Sequence, residues 1–121
     1  MFSVTSGRYF LYLEPTDMRK SFDGLCGIIV HKLGQNPMGG DLFIFVNRPR
    51  NRIKLLRWEP GGFVLFYKRL EKGTFYLPKP AIAHRGSLVL DYSQLVMAVN
   101  GISLEKAKFG KRFYQQNDVD K

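Results

Sequence analysis

The chain has 121 residues, 45% of them hydrophobic and 24% charged, enough for one core and unlike the composition of a disordered protein. Nineteen Lys and Arg against ten Asp and Glu leave a formal net charge of +9, so the natural partner is a polyanion. A membrane is a poor fit: no apolar run approaches the roughly 18 residues of a spanning helix, and no helix reads as basic on one face and apolar on the other.

Arg8 to Leu13, rich in aromatic and aliphatic residues and halted by Glu14-Pro15, reads as a short strand. From Thr16 the apolar positions Met18, Phe22, Leu25, Cys26, Ile29, Val30 and Leu33 recur every three or four residues, which predicts a long helix. Thr16 or Asp17 is its expected cap and Gly34 its left-handed stop. Gly24 and Gly27 weaken such a helix by roughly 1 kcal/mol each relative to alanine, so close packing, with a sheet as neighbour, is expected there. After the turn-rich 34–40 segment come three apolar runs, Leu42 to Val46, Arg52 to Trp58 and Phe63 to Lys68. Their separators, 47–51 and 59–62, carry the Pro, Gly and Asn that hairpins need.

Thr74 to Leu77 and Ser87 to Leu90 are candidate further strands. Asp91 three positions before Gln94 is a capping-box variant opening a short helix that Asn100-Gly101 ends. The fold class is therefore α+β, a single domain over residues 1–114 with an antiparallel β-meander of four to five strands covered by one long and one short helix. Residues 115–121 read as a disordered tail, and the alternating strand and helix spacing of a parallel sheet is missing.

No charged leader and apolar signal core stand at the start, and the expected location is the cytoplasm. Cys26, the single cysteine, lies among apolar neighbours and reads as a buried thiol. With two distant histidines, His31 and His84, zinc spacings are absent, and neither a metal nor a cofactor is expected.

Charge concentrates between residues 47 and 72: Arg48, Arg50, Arg52, Lys54, Arg57, Lys68, Arg69 and Lys72 face only Glu59 and Glu71, six of the nine net charges. A strand period of two puts Arg52, Lys54, Leu56 and Trp58 on one side, a basic face ending in an indole. Such a ribbon neutralises phosphates and releases counterions, and arginine forks onto guanine. The competing reading of these charges is a solvated surface, and of Trp58 a sheet-covering residue. A second basic run, Lys106, Lys108, Lys111 and Arg112 with Phe109 and Phe113, either extends the surface or keeps the end soluble.

Two long motifs carry a resemblance. The first is Pro15-Thr16-Asp17-Met18-Arg19-Lys20-Ser21-Phe22-Asp23-Gly24-Leu25. The second begins with Leu42-Phe43-Ile44-Phe45, Asn47-Arg48, Arg52-Ile53-Lys54, Leu56 and Trp58, and continues through Gly62-Phe63, Lys68 to Gly73 and Phe75. Over roughly residues 8 to 102 the chain resembles the small accessory proteins, often called TnpB, encoded beside the transposase in the sixty-six family of bacterial insertion sequences. The resemblance implies that the protein assists transposition alongside a separate, larger transposase, with that transposase and other element-encoded proteins as partners. It implies no catalytic residues. DNA as a partner and the absence of catalysis are expected from the residues themselves, the basic run for the one and the lack of a catalytic constellation for the other. Pro49 in the 47–51 turn and the tail beyond Gly101 depart from the family pattern.

Two alternatives remain open. One is an adaptor that docks on the transposase without touching DNA, using Arg19, Lys20 and Asp23 on the exposed side of the first helix; the architectural counterpart has Met18 and Phe22 facing the core. The other is a metal-dependent nuclease, which needs two or three clustered carboxylates, for which Asp17, Asp23 and Glu71 are the candidates. Against it, Asp17 reads as a cap, Asp23 points to another helical face, and Glu71 has basic neighbours to pair with.

Overall fold

The structure, a computed structural model, describes residues 7–78 and 83–101. The second basic run and the tail lie outside the described residues. Among the described residues a single sheet of six strands carries two helices. In chain order these are β1 (Tyr9–Tyr12), α1 (Phe22–His31), β2 (Leu42–Val46), β3 (Arg52–Glu59), β4 (Gly62–Arg69), β5 (Ala83–His84), β6 (Ser87–Leu90) and α2 (Tyr92–Asn100). Across the sheet the order is β4-β3-β2-β1-β6-β5.

The α+β class and the β2-β3-β4 meander follow the local patterns, but the sheet is mixed, with one strand more than expected. β1 runs parallel to β2, Tyr9 against Leu42 and Leu11 against Ile44, because α1 carries the chain back across the sheet between them. Thr74 to Leu77 forms no strand beyond a single bridge residue at Thr74. There Phe75 donates its N–H to the Arg50 carbonyl at 2.7 Å and buries its ring to 1% exposure. The sixth strand is instead β5, paired with β6 through Ala83 and His84.

Strand alternation splits the apolar residues between two faces. Phe10, Phe43, Phe45 and Leu56 meet Leu25, Ile29 and Leu33 of the α1 region on one side. Leu11, Leu42, Ile44, Ile53 and Leu55 meet Phe75 and Leu95 on the other. Both faces are covered, so β1 and β2, at the centre, are apolar at almost every position.

α1 begins at Phe22, four or five residues later than a cap at Thr16 or Asp17 predicts. Asp17 is not its cap: its carboxylate accepts the Arg19 N–H at 2.9 Å and the Arg19 guanidinium, closing a local turn. The N-cap is Ser21, without a side-chain bond. Met18 is partly buried against the core, whereas Phe22 is 42% exposed. Gly34, at φ 64°, ends the segment as expected, but Gly27 has no close neighbour and Gly24 meets only the Lys20 side chain, so neither marks contact with the sheet. In α2 the capping box forms in full: Asp91 accepts the Gln94 N–H at 2.8 Å, and Gln94 accepts the Asp91 N–H at 3.0 Å.

Candidate nucleic-acid interface

Because β1 and β2 are parallel, their C-terminal ends leave the sheet side by side. The segment after β1 and the β2–β3 hairpin therefore meet at one end, where β4 also finishes. Thr16 donates its N–H to the Val46 carbonyl at 2.9 Å, tying the first motif to the second. A cleft of about 570 Å³ lies between them, lined by Pro15 to Arg19 and by Asn47, Arg48 and Arg52.

Asn47 organises the hairpin. Its Oδ1 accepts the N–H groups of Asn51 and Arg52 at 3.0 Å each, and its Nδ2 donates to Asn51 Oδ1 at 2.8 Å. The backbone closes with Arg50 N–H donating to the Asn47 carbonyl at 3.0 Å, which puts Arg50 at φ 62° and leaves Arg48 and Arg50 exposed. The segment after β4 wraps this turn, with Leu70 N–H on the Asn51 carbonyl at 2.8 Å. That placement sets Arg69, register partner of Arg52, and Lys72 at the same end.

The structure thus sorts the basic residues differently from the strand alternation alone. Arg48, Arg50, Arg52, Arg69 and Lys72 gather at one end of the sheet, together with Arg19 and Lys20. Lys54 does stand on the same face as Arg52, but α1 and the loop before it cover that face. Lys54 is 5% exposed, donates to the carbonyls of Met18 at 2.8 Å and Lys20 at 2.6 Å, and lies over the Tyr67 ring. Lys68 reaches the Val99 carbonyl at 2.9 Å, a favourable place for a cation near the C-terminal end of α2. Arg57, only 4% exposed, is buried at the opposite end, near Trp58 and Pro60. Trp58 packs edge to face on Phe63, centroids 5.0 Å apart, as a sheet-covering residue.

Arg19 and Lys20 sit in the turn before α1, not on the helix; only Asp23 is helical. The Arg19 side chain is 91% exposed even while paired with Asp17. Hydrogen bonds from its guanidinium, then its N–H, lower the Asp17 carboxyl to about pKa 2. Glu71 pairs with Arg69 at 2.9 Å. The three nuclease candidates are thus held apart, two in separate ion pairs and one on α1, and among the described residues no three His, Cys, Asp or Glu side chains group as metal ligands. Burial, and then the charge of Asp23, push the Cys26 thiol up, favouring the protonated form.

In the sequence Asn47 stands out as a turn residue and as part of the second motif, while nothing marks Tyr67, whose hydroxyl accepts from Arg52 at 3.2 Å. An Asn at the start of a basic turn is the one local signal that pointed there.

The fold and this end define a small basic α+β protein built on one sheet, with a cluster of accessible positive charge where two loops converge. A family model described as IS66 Orf2 like protein matches residues 7–109. The chain belongs to that family, and its role is that of an accessory protein of insertion-sequence transposition. Two relatives come from Sinorhizobium fredii (strain NBRC 101917 / NGR234). The protein called y4hO is 36% identical over 96 residues, 78% of this chain and 80% of its own. The protein called y4jC is 27% identical over 101 residues, 84% of each. No solved structure matches. Among the described residues no helix is long and apolar enough to cross a membrane.

Proposed function

We propose that the protein assists transposition by gripping the phosphate backbone of DNA at the cationic end of its sheet, in the bacterial cytoplasm and without a catalytic site of its own. The observation that carries this reading is the convergence of Arg19, Arg48 and Arg52 on one open cleft. Arg50, Arg69 and Lys72, at the same end of the sheet, extend the footprint. Phosphate contacts of this kind hold a protein on DNA without reading sequence, and each one adds about 0.9 to the slope of log affinity against log salt.

The deciding experiment is a titration against labelled duplex carrying the element's ends, with unrelated duplex as control, at two salt concentrations. The expected result is salt-sensitive binding, weakened when Arg48 and Arg52 are changed to alanine. Preference for the ends would add sequence recognition; no binding at low salt would overturn the proposal.

A second reading rests on Phe22, an exposed aromatic next to Arg19 and Lys20, an arrangement suited to a protein anchor ringed by charge. In that reading residues 19–23, Asp23 included, dock on the transposase. A pull-down with the transposase that fails on Phe22→Ala but survives Arg48→Ala separates it from the first.

A further inference from the structure

β4 lies at one margin of the sheet, and among the described residues nothing pairs with its outer side. Two hydrogen-bonding features tell which backbone groups face outward. Glu59 and Gly62 close a two-residue turn, and beyond the other end of the strand Leu70 N–H bonds the Asn51 carbonyl. In an antiparallel ladder inward and outward groups alternate, so the even-numbered residues of β4 bond β3, and Phe63, Leu65, Tyr67 and Arg69 point their N–H and C=O away from the sheet.

Natural sheets guard such an edge with proline, a bulge, a charge in mid-strand or a very short strand. β5, at the opposite margin, is two residues long. β4 has none of these guards: its register with β3 is unbroken over eight pairs, and Phe63-Val64-Leu65-Phe66-Tyr67 carries neither charge nor proline. Val64 is 36% and Tyr67 48% exposed.

We propose that two copies of the chain join antiparallel along β4, about a two-fold axis at Leu65, to form one continuous sheet. Directly opposed residues in such a pair share a face, so the register is fixed by which contacts it makes. About Leu65, Leu65 meets its own counterpart, Phe63 meets Tyr67, and Val64 meets Phe66. Lys68 and Arg69 fall opposite Gly62 and Gly61, so no like charges oppose each other. The outward groups of Phe63, Leu65 and Tyr67 then satisfy one another. The two cationic ends point in opposite directions, their Arg69 residues about 26 Å apart along the strands, beyond the screening length of roughly 8 Å in physiological salt.

The test is sedimentation equilibrium of the full chain without DNA, so it is independent of the DNA-binding reading. The wild-type protein should sediment at twice the 14.0 kDa of one chain. Leu65→Pro, which removes an outward N–H, and Val64→Lys, which places a charge against Phe66 of the second copy, should each halve that mass with unchanged far-UV circular dichroism. If Leu65→Pro fails to fold, Val64→Lys at its exposed position decides. A monomeric wild type at submillimolar concentration, or a dimer that persists in the folded variants, overturns the proposal. So does a monomer whose Leu65 and Tyr67 amides are protected from exchange, since another segment would then cover the edge.

Discussion

The Lys54 ammonium donates to the Lys20 carbonyl at 2.6 Å, a bond from the middle of a strand to the loop that precedes α1. Together with the bond to Met18, it occupies carbonyls that a longer helix would offer to Phe22 and Gly24. Lys54→Met keeps the stem and removes both charge-assisted bonds, stranding two carbonyls. It should cost about 2–3 kcal/mol in urea unfolding. At temperatures where the variant is folded, the salt slope of DNA binding should stay unchanged, because Lys54 contacts no phosphate.

Arg50 separates charge from stability. At φ 62° an L-residue with a side chain is disfavoured by about 1–2 kcal/mol, which glycine escapes at an entropic cost of about 0.5–1 kcal/mol. Arg50→Gly should therefore keep the wild-type unfolding free energy to within about 1 kcal/mol. The same variant should bind DNA more weakly, its salt slope smaller by about 0.9.

Asn47→Ala makes the opposite separation, removing no charge but three hydrogen bonds of the hairpin. A loss of about 2 kcal/mol is expected from the uncompensated amides of Asn51 and Arg52. DNA affinity should fall with the loss of fixed geometry at Arg48 and Arg50 while the salt slope is kept, a combination readable in the same titration.

Acid stability follows Asp17 and Asp91. Asp17 is lowered from 3.8 to about 2 by the Arg19 side chain and N–H, and Asp91 is lowered first by the Gln94 N–H and then by the Ser93 hydroxyl. A carboxyl with a depressed folded pKa stabilises fully above its unfolded value and loses that contribution as pH falls through the folded one. The Asp17 contribution is thus complete above about pH 4 and fades toward pH 2. Urea midpoints across that range should fall less steeply for Asp17→Asn and Asp91→Asn than for the wild type. Asp91→Ala should also loosen the start of α2 near neutrality, seen as faster amide exchange in its first turn.

Local patterns carried the meander and α2 well. Alternation and turn residues mark β2, β3 and β4 within a residue of their ends, and Asp91 with Gln94 is a cap whose partners lie three positions apart. The start of α1 was not legible, because the periodic positions from Met18 onward fit a helix equally well whether or not Lys54, 34 residues away in sequence from Lys20, claims its carbonyls. Nor was β5: two exposed residues leave no periodic signal.

The amino-acid sequence by itself determined the α+β class, the excess of positive charge and its concentration between residues 47 and 72, and the family, since these rest on composition, short-range spacing and ordered motifs. Only the tertiary structure decided which cations reach solvent. The strand period names the face a side chain takes but not what covers that face, and the parallel pairing of β1 with β2 brings the Pro15–Lys20 loop over Lys54 while setting Arg19 beside Arg48. Burial and convergence are properties of contacts between segments distant in the chain, and no local pattern encodes them.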